Sequence, residues 1–467
     1  MNDTLFQINN ISVILYAFHL CQDLTQEVGQ LRQDAEGLWQ NCAKLSKPLA
    51  IEELKSLPQK IQSYSTQTFT TSRYSKLLEQ PLRIKEYNPK VKVEPHKIDD
   101  TYALDLTLKY NNVSKLSELN LNPQGCLLAS NIQPSLGQTL VLYGEPVGTP
   151  EEDSKLADAC VDAFFQGSDQ KPQFMASGQL FGSPIFAYDN GKEKPTEQCH
   201  LLVWLNRHPE TLNLAQKTYF SLLNLLCCRS KILFAYDQAR WCYRKTRELY
   251  GQLEQEVKGF KELPREREIR LEQLKQKLTQ MPSQTFDYAV YLRDMEDHKT
   301  AIAFGAASPI ATNAENYDYW LEKIRESSFK DDNIEFLANF LNQRTKLFQR
   351  QIQTNLNYLK PGQQLFDQML GSIRGIVETE QAQQEKRLER WIASVGIGLA
   401  VSGISSQTDA KPVESIITQL YPKQFLDCPK AGVTPCLTYS VVFVLFHLGV
   451  GVFAALIVDR IINRGGK

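Results

Sequence analysis

The chain has 467 residues, too many for a single core, and its 52 Lys and Arg nearly balance 53 Asp and Glu. No basic domain or stripe stands out, so no nucleic-acid partner is expected. Ten cysteines are scattered without a CxxC pair, and this indicates neither a zinc site nor a disulfide framework.

The first twenty residues could pass for a signal peptide, but Asp3 occupies the place of a basic n-region and no small-residue cleavage site follows. The stretch Ile11 to Phe18 instead reads as a first strand, which places residue 1 in the cytosol. Asp23 to Leu45 has helical spacing in Leu24, Val28, Leu31, Leu38 and Cys42, and a Ser/Thr-rich passage from Gln62 to Ser75 reads as a helix end and loop. From Pro81 the period changes to two. LRIKEY, YALDLTLKY, GCLLASNI and QTLVLYGEP are each predicted as strands. Glu151 to Phe165 then carries acidic residues in its first turn and apolar residues at helical spacing, as a helix should. GQLFGSPIFAY and CHLLVWLN follow as two strands joined by a hairpin through DNGKEKPTEQ. Roughly six strands and several helices before residue 235 predict an α+β fold, a cytosolic α/β sandwich domain over 1–235.

Thr211 to Cys228 opens the helical half, with Ile232 to Tyr236 ambiguous between strand and helix. Residues 236–390 form a stalk or funnel of long antiparallel helices, coiled-coil-like in pattern: Leu249, Leu253, Val257 and Phe260, then Leu271, Leu274, Leu278 and Met281 after Pro264. The Gly305- and Pro309-containing region from Phe286 to Asn316 reads as a turn. A further stripe, Phe340, Leu341, Phe348, Ile352 and Leu359, is expected to break at Pro361-Gly362, where the final helix starts.

Residues 391–467 read as a transmembrane hairpin. Tyr439 to Val458 is uncharged and long enough for a span, and Trp391 to Thr408 is uncharged, shorter and rich in Gly and Ser. Lys386, Arg387 and Arg390 precede the first span, while Arg460, Arg464 and Lys467 follow the second, which puts both termini in the cytoplasm of an inner or plasma membrane. The loop 409–438 is then extracytoplasmic. Its Cys428 and Cys436, with Pro429, Gly432 and Pro435 between them, are disulfide candidates, and the other eight cysteines are expected as reduced core thiols.

Small residues Ser394, Gly398, Ser402 and Gly403 give the first span a face for close helix approach. Copies could pack on it around an axis and line a pore, or it could pack against the second span. Glu378, Glu380 and Glu385 would attract cations if repeated around that axis; the other reading is a solvated helix with a positive-inside anchor. His447 is polar at the depth of the second span. In the soluble part there is no GxxxxGK[ST], GxGxxG, HExxH or GxSxG, and the nearest histidine pair is His200 and His208, so no enzyme is predicted.

This order of parts resembles the CorA family of divalent-cation channels, most specifically from about Gln363 onward. The resemblance implies a homopentamer whose long helices form a funnel and whose first spans line the pore, with a divalent cation as the only ligand it suggests. The family's Gly-Met-Asn signature is absent, and Gly403-Ile404-Ser405-Ser406-Gln407 stands in its place. The expectation is an oligomeric ion channel or transporter controlled by its cytosolic domain. The alternative is a non-conducting, membrane-tethered sensor, effector or scaffold whose α/β domain binds a cytosolic ligand or partner.

Overall fold

A computed structural model describes residues 7–22, 31–65, 74–110, 114–116, 119–166, 171–303 and 311–381. Its strands are β1 (Gln7–Leu20), β2 (Tyr74–Lys76), β3 (Leu82–Ile84), β4 (Lys90–Ile98), β5 (Thr101–Lys109), β6 (Ser114–Lys115), β7 (Gly137–Val147), β8 (Gln173–Leu180), β9 (Ser183–Asp189) and β10 (His200–Leu205). The helices are α1 (Gly37–Lys44), α2 (Leu57–Ser65), α3 (Ala129–Ile132), α4 (Asp153–Phe164), α5 (Thr211–Lys217), α6 (Tyr219–Lys261), α7 (Arg267–Ala301), α8 (Asn313–Ser327), α9 (Glu335–Asn339) and α10 (Lys346–Gln381). A π turn, Phe340–Thr345, joins α9 to α10. The fold is α+β, with one mixed sheet and long helices.

The described residues fall into two compact units, the first ending at Ala239 and resuming over Asp297–Ile352, the second holding Arg240–Glu296 and the chain from Gln353. Asp297–Ile352, which the sequence groups with the long helices, thus belongs by contact to the first unit.

The first unit is built on a ten-stranded sheet in the order β2-β4-β5-β1-β7-β10-β9-β8, with β3 added to β4 and β6 to β1. Every pairing is antiparallel except that of β7 with β10. β1 shows how sequence period sets the two faces. Ile11, Val13, Leu15 and Ala17 point into one core with residues of α1, α2 and α4, whereas Phe18 and Tyr16 meet Leu223, Leu226 and Cys227 of α6 on the other. On β5, Leu104, Leu106 and Leu108 join the first core and Ala103 joins the second, which leaves Asp105 between strand and helix on the α6 side.

Several local expectations need correction. GCLLASNI is not a strand: Gln124 and Gly125 adopt φ of 57° and 66°, the Asn122 side chain accepts from Leu127 N–H at 2.9 Å, and α3 follows. The asparagine offers the backbone a turn partner that a sheet ladder would have to displace. GQLFGSPIFAY holds parts of two strands, β8 and β9, turning at Phe181-Gly182 where both φ are positive. KVKVEPHKI forms β4 with Pro95 inside it. Ile232 to Tyr236 is helical, within α6. Within the predicted turn over Phe286 to Asn316, the residues up to Ala301 and from Asn313 are helical, because Tyr288, Leu292 and Met295 continue the buried stripe of α7 and Thr312 caps α8 in a reciprocal box with Glu315.

In the second unit, Leu253, Leu278, Tyr288, Phe366, Ile373 and Val377 are among the buried residues of the packed segments of α6, α7 and α10. α10 does not begin at Pro361 but runs through it. Proline removes one helical N–H and crowds the preceding turn. Here the buried Tyr288 hydroxyl donates to Leu359 O at 2.6 Å beside the proline, and Gly362 leaves room for the ring. The predicted spans Trp391 to Thr408 and Tyr439 to Val458 and the loop 409–438 lie outside the described residues. Among the described residues no helix is long and apolar enough to cross a membrane.

A Cβ at Gly362 would run into the Tyr288 hydroxyl and lie 2.7 Å from Tyr250 Cδ2. Gly362→Ala is therefore expected to destabilise the second unit by about 1–3 kcal/mol, outweighing the ~1 kcal/mol helical gain of alanine. A lowered urea midpoint checks this, and a midpoint raised above wild type would contradict the packing of Tyr288.

Candidate functional site

Two buried polar networks lie on the α6 side of the sheet. The first joins four side chains from β2, β4, α6 and β5. Tyr219 Oη donates to Asp105 Oδ2 at 2.9 Å, His96 Nε2 lies 2.9 Å from Tyr219 Oη, and His96 Nδ1 lies 2.9 Å from Tyr74 Oη. The order of protons follows from the carboxylate, which can only accept when ionised. Tyr219 gives its proton to Asp105, so His96 must donate from Nε2 and accept from Tyr74 at Nδ1. Thr107 adds a donor to Asp105 Oδ1 at 3.2 Å, and Lys92, ion-paired with Glu94, stands 5.9 Å from the Tyr219 ring centre.

Burial dominates the acidity of this chain. It pushes Asp105 up to about 6, against the Lys92 charge and the Tyr219 hydrogen bond, and pushes His96 down to about 4 despite Glu94. Tyr219 is held well above the usual phenol range by burial and by the neighbouring Asp105 charge. At neutral pH the network is a neutral imidazole and two neutral phenols ending on one carboxylate.

The second network sits where β9 and β10 meet α6 and the π turn. Asp189 Oδ2 accepts from Arg229 Nη2 at 2.5 Å and from Arg344 Nη1 at 3.1 Å, and Asp189 Oδ1 accepts from Gly191 N–H at 2.6 Å. Burial alone would raise the acid, but the Arg229 and Arg344 charges and the Gly191 N–H hold it below the ordinary carboxylate range. His200, registered opposite Asp189 on β10, bonds through Nδ1 with Thr139 at 2.9 Å and is kept neutral by burial and Arg229. Arg229 packs 5.1 Å from the Phe340 ring centre and Arg344 5.7 Å from that of Phe348.

Of the residues singled out in the sequence, Glu378 is exposed on α10 and Glu380 is bound by Arg270, which donates from Nε at 3.1 Å. Glu385, Ser394, Gly398, Ser402, Gly403, Cys428, Cys436 and His447 lie outside the described residues. The other eight cysteines are buried free thiols, and burial pushes Cys42 and Cys160 up to about 12. His200 and His208 do not share a site: His208 stacks edge-on with Phe329. Among the described residues no group of acidic, histidine or cysteine side chains could hold a metal ion. Neither polar network was legible beforehand, because each draws on three or more elements far apart in sequence. The local signal was an aspartate at a buried position among the leucines of YALDLTLKY.

Asp105 and His96 should oppose each other in acid. Asp105 keeps a proton in the folded state up to pH about 6, so its contribution is favourable at low pH and is lost as pH rises from 4 through 6. His96 stays neutral down to about 4, whereas the unfolded histidine protonates near 6.5, so its contribution is lost as pH falls through that window. Relative to wild type, Asp105→Asn should lose stability between pH 6.5 and 4, on the order of 2 kcal/mol, and His96→Gln should gain on the same acidification. Urea midpoints at pH 4.5 and 7 measure both, and variant-minus-wild-type differences that do not change with pH would refute the assignment.

No family model, curated protein or solved structure matches the chain.

Proposed function

We propose that this chain is a membrane-tethered sensor or effector of CorA-like build, whose α+β unit binds a cytosolic ligand and whose last long helix carries the response toward the apolar C-terminal segments. The observation that supports it is the seat of Arg344. This residue lies in the π turn that leads directly into α10, and its guanidinium is ion-paired with Asp189 on the sheet. A change of partner at Asp189 acts on the root of a helix that continues to Gln381, ten residues before the first apolar segment. π turns inside helical runs recur at functional sites because they displace side chains from regular helical positions.

The non-conducting reading is favoured over an ion channel by the state of Glu380. A carboxylate held by Arg270 contributes little net negative potential to attract a cation. Membrane attachment through 391–408 and 439–458, cytoplasmic termini and assembly into a homo-oligomer, a pentamer by the resemblance, belong to the same proposal. No nucleic acid and no catalytic step enter it.

Planar bilayers holding the purified full chain should show no ion current above the protein-free baseline. Steady, protein-dependent current would overturn the non-conducting reading in favour of a channel governed by the same domain. Tags at residue 1 and after Lys467 should be protected in intact cells and one near Lys423 accessible; an external terminus would refute the hairpin.

A further inference from the structure

We propose that the Asp189–Arg229–Arg344 network is a binding site for a small oxoanion, a phosphate- or carboxylate-bearing solute, and that this is the ligand of the α+β unit; the inference rests on the sensor reading above. Arg229 is 5% exposed and its Nη1 has no hydrogen-bond partner. A guanidinium carries five N–H donors and no acceptor, so a buried one asks for oxygen on more than one edge. Asp189 does not supply it. One of its oxygens already takes both Arg229 Nη2 and Arg344 Nη1, and the other takes Gly191 N–H.

The charge count points the same way. Two guanidiniums face one carboxylate, and the adjacent His200 is neutral, so the network carries a net positive charge at low exposure. Leaving a buried cation without a counter-ion is costly, and a staple between sheet and π turn would need only one arginine per carboxylate. The aromatic faces of Phe340 and Phe348 support the two guanidiniums but offer no hydrogen-bond oxygen. A planar or tetrahedral oxoanion offers what is missing: a negative charge and paired oxygens that match the guanidinium fork. Arg344, 23% exposed in the π turn, is the side through which it would enter. Once bound, the anion competes with Asp189 for Arg344, which is the exchange that would move the start of α10.

The test is thermal unfolding of the purified full chain titrated with sodium phosphate, sulfate or acetate against sodium chloride at matched ionic strength. Phosphate, sulfate or acetate should raise the midpoint saturably beyond chloride. Arg344→Gln, at the partly exposed position, should keep the fold and weaken the half-saturating concentration about tenfold, the loss of one charge-assisted contact. Asp189→Asn removes the competing carboxylate and should tighten it by about as much. No anion-specific shift, or a shift equal in wild type and both variants, overturns the site. Failure here with silent bilayers and the predicted topology rejects the ligand while the tethered-sensor reading stands. Binding with sustained current retains the site and rejects the non-conducting reading.

Discussion

The constraint on which the first unit depends is that β1 is covered on both faces. Fourteen residues long and flanked by β5 and β7, it cannot leave either set of side chains to water. Strands buried on both faces are usually apolar throughout, as in sheets sandwiched by helices. Here one face is largely so, with His19 and Gln138 as buried polar exceptions. Opposite the α1, α2 and α4 side, the sheet presents His96, Asp105, Asp189 and His200 to the region of α6, among apolar contacts such as Phe18 with Leu223. Polar groups so placed must be satisfied by the helix that covers them. Tyr219 reaches Asp105, Arg229 reaches Asp189 and Lys231 reaches Asp100, all from α6.

The two networks solve this problem differently. Around Asp105 the solution is neutralisation by proton placement: phenols and an imidazole donate in one direction and the carboxylate is moved toward neutral pH. Around Asp189 the solution is charge against charge, with the acid held ionised. Only the second is over-supplied with cation. That asymmetry is why the same sheet face carries one network that is complete in itself and another with an unused donor.

Much of the architecture was legible because it rests on local period. The strand character of YALDLTLKY and QTLVLYGEP, the helix after Glu151 and the stripes of α6 and α7 are all set by spacing that burial enforces. Failures arose where a local signal was outvoted by a distant contact, or a compact turn by side-chain bonds. Pro361 and Gly362 carry every local mark of a break, yet the Tyr288 hydroxyl and the close approach of Tyr250 hold the helix through them. GCLLASNI has a strand-like apolar run, but Asn122 and positive φ at Gln124 and Gly125 fold it into turns. The candidate site was invisible for a related reason: Asp189 and Arg344 are 155 positions apart, and no spacing rule links them.

The polarity of α10 follows from where its constraints lie. Its first residues continue from a π turn whose Arg344 is bound to the sheet, so their position depends on a contact that another anion can replace. Farther along, Leu359, Gly362 and Phe366 are fixed by Tyr288, and Glu380 by Arg270. Of these contacts, those of Tyr288 are apolar or internally saturated and offer no vacancy for a solute. The replaceable contact is therefore at the beginning of the helix and the fixed ones are along its length.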